Sequence, residues 1–199
     1  MVIISLIIVA LICYLLSKQD CDLVLLFFEK FGNNPRTLKG KVVWILGASS
    51  GIGRDLAYEL ANAGCKIILS ATRQHRLEEV REQCLKLNGR LTEKDILVLP
   101  LDLSKIEQHN DAFQKVIATF GKLDILVNNA ARLQVSQFEQ TELAVDRELF
   151  ELNTLAVINM TRLVTNDWLD RKQSGHLAVT SSAGGFCPSK LLQNKSCNV

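Results

Sequence analysis

From residue 41 onward, short apolar runs alternate with stretches whose apolar positions recur every three or four residues. Val42-Val43-Trp44-Ile45-Leu46 is a continuous apolar run of strand length, the pattern of a strand covered on both faces. Gly51 to Ala63 follows, with Ile52, Leu56 and Leu60 spaced as one helical face. Lys66 to Leu69 predicts a second strand, and Leu77, Val80, Cys84 and Leu87 the stripe of a second helix. Asp95 to Leu99, closed by Pro100, predicts a third strand. Phe113, Val116, Ile117 and Phe120 mark the next helix, which Gly121 should end. Leu123 to Val127 reads as a fourth strand, Val145 to Leu163 as one long helix, and His176 to Thr180 as a fifth strand. Strands separated by helices of this length make βαβ units with right-handed crossovers. The expected fold is α/β, a Rossmann-type doubly wound parallel sheet in the order 3-2-1-4-5.

The beginning of the chain follows another pattern. Residues 1–17 carry no charged side chain, and Lys18, Asp20 and Asp22 follow directly. Seventeen helical residues span roughly 25 Å, slightly under a bilayer's hydrocarbon core. No basic stretch precedes the run and no clear small-x-small cleavage site follows it. An uncleaved membrane anchor is the favoured reading, a cleaved secretory signal the alternative. Either places the chain at the secretory pathway. Gly32-Asn33-Asn34-Pro35 is a turn signal, so the expected organisation is an apolar segment over 1–17, a juxtamembrane linker over 18–37, a globular domain over 38–185 and a divergent tail over 186–199.

Composition narrows the function classes. The 199 residues are 48% hydrophobic, which excludes a disordered chain. A formal net charge of +2 argues against nucleic acid as a partner. The cysteines, at 13, 21, 65, 84, 187 and 197, form no C-x-x-C or Cys/His cluster, so neither a metal site nor a disulfide scaffold is expected. His75, His109 and His176 have no nucleophile or metal partner in the pattern and read as surface or structural residues.

The chemistry-bearing motif is Gly47-Ala48-Ser49-Ser50-Gly51-Ile52-Gly53, lying between the first strand and its helix. Gly47 permits a tight turn, Gly51 lets backbone approach a pyrophosphate, and Gly53 lets helix and strand pack closely. The anion would rest on the helix N-terminus, where free N–H groups and the helix dipole favour negative charge. Further blocks follow in order: Leu101-Asp102-Leu103, Asn128-Asn129-Ala130-Ala131, Asn153 and Ser181-Ser182.

Together these blocks resemble the short-chain dehydrogenase/reductase family over about residues 38–185. With the apolar segment in front, the chain is similar to membrane-anchored, hydroxysteroid-dehydrogenase-like members at the endoplasmic reticulum. The resemblance implies that Gly47, Ser49, Ser50, Gly51, Ile52 and Gly53 line the cofactor's phosphates and ribose. It implies Asp102 and Leu103 beside the adenine, Asn128 helping to hold the sheet and cofactor loop, and Asn129 and Ala130 at the cofactor, Ala130 beside the ribose. Leu46 stands where the family usually has threonine, and Ala131 where it usually has glycine. At the end of the second strand, Ser70-Ala71-Thr72-Arg73 offers no carboxylate for the 2′-hydroxyl of NAD, and the family's phosphate-binding arginine would fall on Thr72, one place before Arg73. Arg73 can present a planar guanidinium to a 2′-phosphate, so NADP is favoured over NAD. The competing reading is a solvated arginine at a helix start.

The resemblance further implies a catalytic serine, tyrosine, lysine and asparagine working on a carbonyl or alcohol of a small lipophilic substrate. Ser182 matches the serine, and Asn153 the asparagine that holds a proton-relay water. The tyrosine has no match. Only Tyr14 and Tyr58 exist, the first in the apolar segment and the second on a helix expected to face away from the site. Phe186-Cys187-Pro188-Ser189-Lys190 mimics the Tyr-x-x-x-Lys spacing, but phenylalanine has no hydroxyl to exchange a proton. The expectation is a chain truncated or diverted near residue 185, with little or no turnover and without the family's usual dimer face; the alternative is a truncated isoform that binds a cofactor or a partner without catalysis. A homodimer is expected only of a full-length parent. Of two glycosylation sequons, Asn159-Met160-Thr161 falls inside a helix, and Asn194-Lys195-Ser196 lies in the tail.

Overall fold

Strands β1 (Val42–Leu46), β2 (Lys66–Ser70), β3 (Ile96–Val98), β4 (Ile125–Asn128) and β5 (His176–Val179) form one parallel sheet ordered β3-β2-β1-β4-β5. The computed structural model describes residues 27, 30–136 and 138–182. The apolar segment 1–17, Phe186–Lys190 and Asn194 therefore lie outside the described residues. Among the described residues no helix is long and apolar enough to cross a membrane. The chain divides into two units after Thr37, and the sheet belongs to the unit that begins at Leu38.

Alternation along the central strands feeds two cores. Trp44, Leu46, Ile68 and Leu126 face one side, where helices α3 (His109–Phe120) and α5 (Ala156–Asp170) cover them with Phe113, Val116, Met160 and Val164. Val43, Ile45, Ile67 and Leu69 face the other side, under α1 (Gly51–Ala63) and α2 (Gln74–Leu87). Every residue of β1 is buried, as a strand between two helical layers requires. In β5 every residue is exposed.

Several local expectations are corrected. The core face of α1 runs through Gly53, Ala57, Leu60 and Ala61, while Ile52 is 65% exposed. That face is set by small residues which let α1 lie close to the sheet. Leu87, at the end of α2, is also exposed. The third strand is shorter than its apolar run, covering only residues 96–98. The long helix expected over 145–163 is broken into α4 (Leu143–Phe150), a π-helical turn (Glu151–Leu155) and α5. The wider turn adds backbone without breaking helical direction, and so rotates the faces on either side of it relative to one another.

The buried thiols of Cys65 and Cys84 are pushed up by burial to about 11 and about 12, so both stay protonated. Among the described residues no cluster of His, Cys, Asp or Glu could hold a metal ion.

One buried charge fixes the amino-terminal edge of the sheet. Asp124 is 4% exposed, and its carboxylate accepts the Val42 N–H at 2.8 Å and ion pairs with Lys122 at 2.8 Å and Lys41 at 3.4 Å. Its backbone N–H donates to Val42 and its carbonyl accepts from His176, joining β1, β4 and β5. Burial alone would raise its pKa, but the Lys122 bond, the Val42 amide and Lys41 outweigh it and hold Asp124 below the ordinary carboxylate value. A depressed folded-state pKa contributes stability above the unfolded value near 4 and loses it as pH falls through the folded value. Asp124→Asn should therefore cost about 1–3 kcal/mol at pH 7. Its loss relative to the parent should shrink below about pH 4 in urea unfolding curves. A deficit independent of pH would show that the carboxylate charge contributes nothing.

Candidate functional site

The carboxyl ends of the strands open into a cavity of about 580 Å³. Its floor is the turn after β1. The Gly47 and Ala48 N–H groups donate to the Ser70 carbonyl at 2.7 and 3.0 Å, and the Ser70 hydroxyl accepts from the buried Trp44 indole at 2.8 Å. The end of β2 thus holds the start of the glycine turn. Gly47 has φ +86°, and a Cβ there would meet the Ala130 backbone at 2.7 Å. At Gly53 a Cβ would sit 2.3 Å from the Gly47 carbonyl oxygen and 2.5 Å from the Asn129 side-chain amide. Only glycine allows this approach.

Asn129 stitches the strand ends together. Its backbone N–H donates to Leu46, its side-chain amide donates to the Gly47 carbonyl at 3.1 Å, and its Oδ1 accepts from the Thr180 hydroxyl at 3.1 Å. Asn128 points into the α5 side, donating to the Thr161 hydroxyl at 3.2 Å. Leu46, where the family usually has threonine, is buried in the core and still supplies its carbonyl to Asn129. Ala131 does not adopt a positive φ, so its Cβ brings no backbone strain.

Of the candidate site residues, Gly47, Ser49, Ser50, Ile52, Arg73, Asp102, Leu103, Asn129, Ala130, Asn153 and Ser182 line this cavity, whereas Gly51, Gly53 and Asn128 do not. Gly53 is consumed by packing under the turn. Gly51, at φ +56°, lies on the exposed side with open space where a side chain would be. Ser50 is the N-cap of α1, but its side chain makes no capping bond. The first N–H groups of α1 are thus left without a side-chain acceptor, beside the exposed Ile52. This is the arrangement an anionic phosphate group needs, and the residues fit a dinucleotide. Arg73 and Thr72 line the same cavity at the end of β2. Among the described residues, no acceptor bonds the Arg73 guanidinium. Opposite, Leu101, Asp102 and Leu103 form a rim in which Asp102 Oδ1 accepts from the Ser104 N–H and hydroxyl.

At the other end stand Asn153, Thr180, Ser181 and Ser182. The Asn153 side chain clamps the backbone of Arg132, accepting its N–H and donating to its carbonyl, both at 2.9 Å. The amide group assigned to a relay water is therefore engaged with the loop after β4. The π-helical turn carries Asn153 toward that loop. Arg132 itself pairs with Glu148 at 3.3 Å. Tyr58, expected to face away from any site, instead lines a neighbouring cavity of about 330 Å³ with Ser49, Ser50 and Arg73. It does not line the main cavity with Asn153 and Ser182. Burial raises its pKa above the ordinary phenol value despite nearby Arg54.

Sequence reasoning missed Thr180 as the partner of Asn129, and Arg132 as the target of Asn153. Both are non-local hydrogen bonds with no signal in spacing. It also did not place Leu152 and Leu133 at the cavity, which both line.

Comparison with known proteins agrees with this geometry. The family model described as short chain dehydrogenase matches residues 41–194. The chain is 44% identical to mouse "Dehydrogenase/reductase SDR family member 7" over 182 residues, which is 87% of this chain and 54% of that protein. It is 45% identical to the human protein of the same name, covering 87% and 53%. It is 39% identical to "11-beta-hydroxysteroid dehydrogenase A" of Sesamum indicum, covering 75% of this chain and 41% of that protein. The chain thus spans about half the length of these relatives. A short-chain dehydrogenase structure from Streptomyces avermitilis matches with a TM-score of 0.64 at 33% identity, over 73% of this chain and 50% of that one. One from Mycobacterium marinum, at 23% identity, shares the fold with a TM-score of 0.72, covering 80% and 63%. With the glycine turn, the asparagine stitch and the 3-2-1-4-5 sheet in their places, the chain belongs to the short-chain dehydrogenase/reductase family of oxidoreductases.

Proposed function

We propose that this chain binds a nicotinamide dinucleotide, NADP rather than NAD, in the cavity at the carboxyl edge of its sheet. The parent reaction interconverts a carbonyl and an alcohol on a small lipophilic substrate of steroid, retinoid or lipid-like character. The carrying observation is the meeting in one cavity of the glycine turn, the start of α1 without a side-chain cap from Ser50, and the Arg73 guanidinium, which no acceptor bonds among the described residues. When bound, the cofactor supplies hydride transfer. The chain's own residues cradle the phosphates, orient the adenosine half against the Leu101–Leu103 rim, and present the Ser182 hydroxyl at the reacting end. A guanidinium without a protein carboxylate is suited to a 2′-phosphate, and no acid at the end of β2 competes for a ribose hydroxyl.

Proton exchange is the missing element. A serine hydroxyl can hydrogen bond a substrate oxygen, but its own proton is too tightly held for it to act alone as an acid near neutrality. Of the two tyrosines in the sequence, Tyr14 lies outside the described residues and Tyr58 stands at the phosphate side. The chain is therefore read as a cofactor binder with little or no turnover, derived from an oxidoreductase. The apolar segment 1–17 supports residence at an endoplasmic-reticulum-type membrane.

Titration of the full chain should give tighter binding of NADPH than of NADH. Arg73→Ala should abolish most of that preference, weakening NADPH by about tenfold or more while leaving NADH nearly unchanged. Equal affinity for the two cofactors in the parent protein would overturn the NADP assignment. Gly53→Ala should impair binding of both cofactors and cost about 1–3 kcal/mol of stability, because its Cβ meets backbone that cannot move aside. NADPH oxidation assayed with steroid, retinal and lipid ketones should stay at background. Measurable reduction of any of them would overturn the reading of a binder without turnover. Expressed in cells, the full chain should stay with the membrane fraction after alkaline carbonate washing, and release into the supernatant would remove the anchor.

A further inference from the structure

His109 takes no part in the cofactor cavity's lining, yet it is fully buried and both of its ring nitrogens are engaged. It opens α3, directly after the loop that forms the adenosine-side rim. Its Nε2 lies 2.9 Å from the carbonyl oxygen of Leu103, and its Nδ1 lies 3.0 Å from the side-chain amide nitrogen of Asn159 on α5. A carbonyl only accepts, so Nε2 carries the proton. Nδ1 is then a lone-pair acceptor for the Asn159 amide. This fixes the neutral Nε2–H tautomer. Burial pushes the imidazole below its ordinary value, partly offset by the Leu103 carbonyl and by Glu107, which keeps the ring in that neutral form.

We infer that His109 is a positioning residue for cofactor binding, a buried strut that holds the Leu101–Leu103 rim by its Leu103 carbonyl and braces it through Asn159 against α5. The rest of the loop is secured at its two ends and by a local turn around Leu103, in which Asp102 accepts the Ser104 N–H and hydroxyl at its side chain and the Lys105 N–H at its carbonyl, none of which engages the Leu103 carbonyl. Leu99 and Leu101 donate to Leu69 and Ala71 on the β2 side, and Lys105 and Gln108 close short turns further on. Between them Leu103 is buried and lines the cavity, and its carbonyl is turned inward to His109 instead of outward to ligand. Without that bond the carbonyl would be a buried acceptor without a partner, and the rim would have reason to turn it toward water. The adenosine half of a dinucleotide would then meet a displaced wall, while the glycine turn, anchored on Ser70, would stay where it is.

This inference rests on the cofactor reading above, and two fragments separate the two. Adenosine 2′,5′-bisphosphate probes the rim and Arg73, whereas inorganic pyrophosphate probes the glycine turn. His109→Asn keeps a polar group near Nδ1 but cannot reach Leu103, and should weaken adenosine 2′,5′-bisphosphate by about tenfold in calorimetric titration of the full chain while leaving pyrophosphate unchanged. His109→Gln, whose amide can extend to the Leu103 carbonyl, should recover most of that loss. In the parent protein, the nitrogen NMR signal of the His109 Nε2–H should identify that tautomer. The signal should move on adding adenosine 2′,5′-bisphosphate and stay still with pyrophosphate. This readout stands even if a variant folds poorly. An unmoved signal, or equal weakening of both fragments in His109→Asn, overturns the positioning role. Failure of the parent protein to bind either fragment overturns the cofactor reading, and this inference with it.

Discussion

The site depends on how closely two pieces of backbone approach each other. The Cα of Gly53, early in α1, lies against the carbonyl of Gly47, and that same carbonyl accepts the Asn129 amide. A methyl group at Gly53 would occupy the space of both. Because the approach is possible, α1 begins directly after the turn that ends β1, and Ser49, Ser50 and Ile52 around its start line the cavity. Because Asn129 also receives the Thr180 hydroxyl, the ends of β1, β4 and β5 are held in one register around that point. The Arg73 side, the rim and the serine end are all placed relative to this contact.

At the opposite edge of the sheet, Asp124 plays a comparable part with charge in place of close packing. It joins the starts of the same three strands, and two lysines at the surface compensate its burial. The paired edges differ in consequence. Among the described residues, the first N–H groups of α1 at the carboxyl edge have no side-chain acceptor and suit a ligand, whereas at the amino edge Asp124 pairs with groups of the chain itself.

Local patterning made the architecture legible. Apolar runs of four or five residues separated by helical stripes specify buried parallel strands, and glycine at fixed intervals after the first strand marks the turn. What patterning could not carry were choices decided by neighbours distant in sequence. The stripe Ile52-Leu56-Leu60 suggested a core face through the larger side chains, but the close approach of α1 favours Gly53, Ala57 and Ala61. Ile52 is left outside, at the cavity. The helix over 145–163 looked continuous because a π-helical turn changes no residue type. Its position is set by Asn153 reaching the Arg132 backbone across 21 residues of chain. His109 offered only a lone histidine on a helix. Its meaning came from Leu103 and Asn159, the latter fifty residues away.

The two apolar cores share a sheet and little else. One, under α1 and α2, supports the phosphate turn and Arg73; the other, under α3 and α5, supports the rim and the serine end. The glycine turn nonetheless draws on both: Ser70 at the end of β2 holds its start, Trp44 from the core under α3 and α5 holds the Ser70 hydroxyl, and Asn129 ties the Gly47 carbonyl to Thr180, so a change under α3 and α5 reaches the turn as well.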